Sequence, residues 1–187
     1  MPLNISHVAQ KARKALQYLP PVKSSLNWYN NGGANSSRES KLKRLDQLMR
    51  KGYRLIEHTA DMGIEARAES CSKVMELMAR GLAIMLFGDS PVSDREVNHL
   101  LLKGEDRVEL MVEWLNEILY WCEQNNLIPA EFHIDALKNG ELLATLSGEP
   151  FNPQRHHVER QVKAITYHQA RLEEVSGGWY ARVYVDL

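Results

Sequence analysis

Apolar residues recur along the first fifty positions only in short bursts. Ile5, Val8, Ala12 and Leu16 fall at helical spacing among Lys11, Arg13 and Lys14 until Pro20-Pro21 stops any helix. Residues 27–40 are rich in Asn, Gly and Ser and cannot bury a core, which predicts a flexible linker. Leu42, Leu45, Leu48 and Met49 then recur among Lys41, Lys43, Arg44 and Arg50, a second basic amphipathic segment leading into a body that begins near Gly52.

From Tyr53 the pattern is denser. A strand is expected over 53–57, a turn from His58 to Gly63, and a second strand over 64–68 with alternating apolar residues. Val74, Leu77, Met78, Leu82, Met85 and Leu86 follow the 3.6-residue period, giving a helix that Ser72 can cap and Gly88 ends. A strand over 96–102 precedes a second helix, opened by Glu105 and Asp106 and carrying Val108, Met111, Val112, Leu115, Ile118, Leu119 and Cys122. Beyond Pro129 the pattern is β: strands over 132–137 and 142–147 flank the hairpin turn Asn139-Gly140, two more are expected over 161–168 and 170–175, and a last over 179–186. The expected fold is α+β, a two-layer arrangement of largely antiparallel sheet packed with two amphipathic helices.

Length and charge refine this picture. With 187 residues, one substantial core is expected rather than two full-sized domains. Residues 1–51 hold ten Lys/Arg against two Asp/Glu, while the rest of the chain holds thirteen against twenty-two, so a basic extension (1–51) joins an acidic domain (52–187). No apolar run approaches the roughly 20 residues of a membrane span, and a secretory signal is lacking, so a soluble, cytoplasmic protein with no membrane partner is expected. Cys71 and Cys122 sit in apolar helical patterns without a CxxC or Cys/His cluster, which points to two buried, reduced thiols.

Three places could carry chemistry. Asp61 lies in the turn His58-Thr59-Ala60-Asp61-Met62-Gly63, where Gly63 permits close backbone approach; such an Asp ordinarily serves nearby backbone N–H groups. At the chain end, Val183 and Val185 face one side of a strand and Tyr184 and Asp186 the other. Asp186 and the terminal carboxylate of Leu187 are hard oxygen donors suited to Ca²⁺ or Mg²⁺ if Asp61 is near, although chain ends are more often frayed and solvated. Lys163, flanked by apolar residues, could hold phosphate beside such a site or merely occupy a solvated strand face.

The strings His58-Thr59-Ala60-Asp61-Met62-Gly63-Ile64, Trp114-Leu115-Asn116-Glu117-Ile118-Leu119-Tyr120, Val162-Lys163-Ala164-Ile165-Thr166-Tyr167-His168 and Gly178-Trp179-Tyr180-Ala181-Arg182-Val183-Tyr184-Val185-Asp186-Leu187 together closely resemble the archease family, over about residues 53–187. That resemblance implies a small α+β protein that assists RtcB-type RNA ligases, promoting guanylylation of the ligase and repeated turnover in tRNA splicing or RNA repair, and not an enzyme itself. It implies that Asp61, Asp186 and Leu187 hold a divalent cation, calcium foremost with magnesium and manganese also accommodated, that Lys163 is the family's functional lysine, and that His58 has a supporting or a structural role.

Residues 1–51 depart from the family pattern; they could meet the RNA backbone directly, with Trp28 and Tyr29 stacking, or serve as a tail or ligase dock. Two other classes stay open. A divalent-metal phosphohydrolase would use Asp61, Asp186 and Lys163 in turnover of its own, and an RNA-binding module would act through the basic extension. The sequence contains no GxxxxGK[ST], GxSxG or HExxH.

Overall fold

Alternation along the strands sets which face each buries. The computed structural model describes residues 52–57 and 62–187. Strands β1 (Gly52–Glu57) and β2 (Met62–Ala68) pair antiparallel from Gly52 opposite Arg67 to Glu57 opposite Met62. Met62, Ile64, Ala66 and Ala68, every second residue of β2, are buried.

Helix α1 (Cys71–Phe87) buries Val74, Met78, Leu82, Met85 and Leu86 of the predicted stripe, with Leu77 partly covered against the core. Its cap is Ser70 rather than the expected Ser72: Ser70 keeps an extended backbone and its hydroxyl accepts the Lys73 N–H at 3.1 Å, while Ser72 already lies within the first helical turn. After β3 (Glu96–Lys103), helix α2 (Arg107–Asn125) opens on Asp106, whose carboxylate accepts the N–H groups of Val108 and Glu109 at 2.8 and 2.9 Å. It ends at Asn126 in the left-handed conformation.

Strands β4 (Leu127–Lys138) and β5 (Glu141–Pro150) form the predicted hairpin, with Asn139 and Gly140 both at positive φ (55° and 71°). β4 begins earlier than the sequence pattern suggests and runs through Pro129. It is an edge strand with a register shift between Pro129 and Glu131, a setting in which a residue without an N–H is tolerated. The two strands expected over 161–168 and 170–175 are one, β6 (Ala164–Val175), paired with β7 (Gly178–Asp186). The register breaks between Thr166, opposite Tyr184, and Arg171, opposite Arg182, so that residues 167–170 bulge out with Gln169 at φ 51°.

The strand orders are β1-β2-β7-β6 and β3-β5-β4, antiparallel throughout. α1 packs on β1, β2, β7 and β4, and α2 on β6 and β4, so the helices unite both sheets around one core. This is the α+β architecture expected, with two amphipathic helices against antiparallel sheet. Trp114 is fully buried there, its indole N–H on the Met75 carbonyl and its ring edge-on to Phe132. Both cysteines are free thiols; Cys122 is buried and its thiol is pushed up to about 12 by that burial, whereas Cys71 is only partly covered. No helix among the described residues is long and apolar enough to cross a membrane.

Candidate functional site

Three strand ends meet at one edge of the four-stranded sheet. Met62, the first residue of β2, lies opposite Val185 of β7, and Val185 lies opposite Ile165 near the start of β6. This row gathers the start of β2, the end of β7 and the start of β6 in one place.

Lys163 stands immediately before β6 and is tied to the chain end twice. Its backbone N–H donates to the Asp186 carbonyl at 2.8 Å, and its ammonium donates to a carboxyl oxygen of Leu187 at 2.6 Å. Lys163, Asp186 and Leu187 are all exposed. The structure therefore brings together three of the residues singled out from sequence. His58 and Asp61 lie outside the described residues. Asp61 is joined covalently to Met62, and Gly63 beyond it is where the backbones crowd: a Cβ there would stand 2.6 Å from the Val183 carbonyl oxygen and 2.9 Å from a side-chain carbon of Ile56. The close approach expected at Gly63 is thus real, within strand β2 rather than in a turn.

Asn116 of α2 holds the other flank and escaped the sequence reading as a working residue. Its amide donates to the Ile165 carbonyl (3.2 Å) and accepts the Ile165 N–H (2.9 Å). β6 is an edge strand, and this side chain supplies hydrogen bonds that a further strand would otherwise make. The available signal was one amide inside the apolar period of a helix, between Leu115 and Ile118.

On the same flank the Tyr167 hydroxyl donates to Glu113 at 2.9 Å. Desolvation, then the Glu113 hydrogen bond and charge, push that phenol up to about 12. Glu117 is raised by its own burial and then by the charge of Glu113. The face of α2 against Tyr167 is therefore acidic.

The acidic groups at this end of the chain, the Asp186 side chain and the carboxyl end of Leu187, offer only oxygens. Oxygen donors suit a hard divalent cation, whereas thiolates and imidazoles would favour softer ones. Among the described residues no three His, Cys, Asp or Glu side chains form a metal-holding group by themselves.

Residues 53–187 match the archease protein family. The chain is 34% identical over 141 residues to the protein archease of Methanosarcina mazei, covering 73% of this chain and 97% of that one. It is 33% identical over 135 residues to the protein archease of Methanopyrus kandleri, covering 71% and 96%. The solution structure of protein 1598 of Methanobacterium thermoautotrophicum superposes with a TM-score of 0.65 at 28% identity, over 73% of this chain and 99% of that one. The crystal structure of an archease from Thermotoga maritima, named a possible chaperone, shares the fold at a TM-score of 0.50 and 20% identity, over 71% and 94%. The family profile spans the segment that carries the converging strand ends, the relatives match nearly their whole length, and this chain belongs to the archease family.

Proposed function

We propose that this protein is an accessory factor of an RtcB-type RNA ligase, acting through the sheet edge where Lys163 meets the chain end, and that it performs no transfer chemistry of its own. The observation that supports this reading is the double tie of Lys163 to the chain end, its N–H on the Asp186 backbone carbonyl and its ammonium on the Leu187 carboxyl, which brings the family's lysine to the terminus that carries two of the proposed donors. Asp61 is the third donor of the proposed set, with His58 in support, and the ion is calcium in the first instance, with magnesium or manganese as alternatives. Such a cation would supply fixed positive charge and Lewis acidity at a protein edge.

The chain's own residues do the rest. Asn116 fixes the start of β6, and with it the backbone at Lys163. Lys163 offers an ammonium beside carboxylates, a charge pattern able to meet a phosphate or a nucleotide held by a partner. The RNA whose ends are joined is held by the ligase, in tRNA splicing or RNA repair in the cytoplasm.

The test is multiple-turnover joining of RNA ends by an RtcB-type ligase with GTP and divalent metal, comparing no addition, wild type, Asp61→Ala and Lys163→Ala. Stimulation by wild type and by neither variant is the expected result. Stimulation by none overturns the reading, and phosphate release by the isolated protein would replace it with a hydrolase.

A further inference from the structure

The body of this chain is acidic, yet the outer face of the four-stranded sheet is not. One row across all four strands reads Arg54, Glu65, Arg182, Arg171. The adjacent row on the same face reads Gly52, Arg67, Tyr180, Glu173, and on the other side of Arg182 along β7 lies Tyr184. Each strand thus contributes one arginine, against two glutamates in these rows and Asp186 at the far end of β7.

Glu65 is fully engaged. One carboxylate oxygen takes Arg54 at 2.6 and 2.8 Å and the other takes the Tyr180 hydroxyl at 2.7 Å. Arg67, Arg171 and Arg182 have no ion-pair partner among the described residues. Arg182 is the most telling: its Nε is buried without an acceptor, and among the described residues its side-chain hydrogen bonds are long ones to Gln169 at 3.4 and 3.5 Å. A guanidinium N–H left without an acceptor is costly.

The arginines are interleaved with rings. Arg67 lies over Tyr180 at 5.0 Å and Arg182 over Tyr184 at 5.4 Å, with the exposed His168 of the β6 bulge 6.3 Å from Tyr184. Cations for phosphates and flat stacks for bases, laid on an open sheet, are the two elements of single-strand recognition; in a duplex the base faces are hidden. The stripe Tyr180, Arg182, Tyr184 also runs along β7 straight to Asp186.

We infer that the outer face of the four-stranded sheet, through Arg67, Arg171, Arg182, Tyr180 and Tyr184, is a binding surface for single-stranded RNA. The choice of RNA over DNA rests on the proposed function; the face itself does not depend on the metal or the ligase.

The test is fluorescence anisotropy of a labelled, mixed-sequence single-stranded RNA with the full chain, in chelator and without ligase, so that its failure is distinct from failure of the accessory role. Four variants that keep wild-type circular dichroism are compared: Arg67→Gln with Arg171→Gln, Tyr184→Leu, Tyr184→Phe, and, in the basic extension, Lys43→Gln with Arg44→Gln. The double arginine variant should bind at least about tenfold more weakly and lower the salt slope by about 1.4, two contacts at about 0.7 each. Tyr184→Leu should lose about tenfold with the slope unchanged, and Tyr184→Phe should bind like wild type. The Lys43/Arg44 pair should change binding less than about twofold, and the same sequence as a duplex should bind more weakly. Absence of RNA binding by wild type, loss confined to the Lys43/Arg44 variant, or equal capture of a polyglutamate peptide with Tyr184→Leu silent would each overturn the assignment, the last making the face a dock for acidic protein.

Discussion

Asn116 and Ile165 exchange two hydrogen bonds, side-chain amide to backbone carbonyl and backbone N–H to side-chain oxygen, across the gap between α2 and the open edge of β6. One amide satisfies both polar groups of a residue whose own side chain is buried. Replacing it with Leu strands both, at about 1–3 kcal/mol for each group left without water or partner. Asn116→Leu is expected to unfold at lower denaturant with unchanged slope and to stimulate a ligase less than its residual stability explains, because the start of β6 carries Lys163. Asn116→Asp keeps the acceptor and loses the donor, so its loss should be intermediate. Equal stability of all three proteins would remove this residue from the site's support.

The ammonium of Lys163 on the Leu187 carboxyl has a consequence of definite sign. A divalent cation bound by that carboxyl must share it with, or displace, a positive charge already present. Lys163→Ala is therefore expected to bind calcium more tightly while losing ligase stimulation, two effects in opposite directions. For an exposed pair the gain is under about 1 kcal/mol, roughly fivefold or less in affinity. Isothermal titration of wild type, Lys163→Ala and a protein extended by a short C-terminal tag measures it; the tagged form should bind more weakly. Equal affinity of tagged and untagged protein would take Leu187 out of the donor set.

Gly63 has no room for a side chain. Its missing Cβ would press on the backbone oxygen of Val183, which cannot rotate away, and on Ile56. Gly63→Ala should cost about 1–3 kcal/mol as overpacking and spread the β2–β7 pair at the end where Met62 meets Val185. Thermal denaturation reads the first effect. Amide exchange at Val185, faster than in wild type, reads the second; a variant with wild-type stability and exchange would show that the crowding is relieved without cost.

Periodicity made the helices and most strands legible, because each buries one face of a regular element and Asn139-Gly140 has few other uses. What it could not show were effects of long-range pairing. The β6 bulge was read as a break between two strands, since residues 167–170 lack a partner while those on either side pair with β7. The early start of β4 was hidden by Pro129, which only an edge position tolerates. At the site, Lys163, Asp186 and Leu187 stood out by residue type and strand position, the family's motifs gave them roles, and the fold gave their hydrogen bonds. Asn116 stood only as one member of a family string, since its partner Ile165 is 49 residues away, and the arginine face was invisible because its members come from four strands spread over more than a hundred residues of an acidic body.

Glu65 and Glu117 should respond to acid with opposite signs. Burial would raise the Glu65 carboxyl, but the Tyr180 hydroxyl, the Arg54 hydrogen bonds and the charges of Arg54 and Arg182 outweigh it and hold it below its ordinary value of 4.5. A depressed folded value means stability that is present above the unfolded value and lost as pH falls through the folded one. Glu117 is raised above 4.5, first by burial and then by Glu113, so the folded chain prefers it protonated and its contribution is lost as pH rises through the folded value. Glu65→Gln should therefore lower the melting temperature at neutral pH and matter less below 4.5, whereas Glu117→Gln should raise it at neutral pH and matter less below 4.5. Both groups are partly exposed, so solvent screening keeps each effect under about 1 kcal/mol. Melting curves of the two variants and wild type across that range would show the opposite signs; parallel shifts at every pH would mean that packing, not charge, separates the variants from wild type.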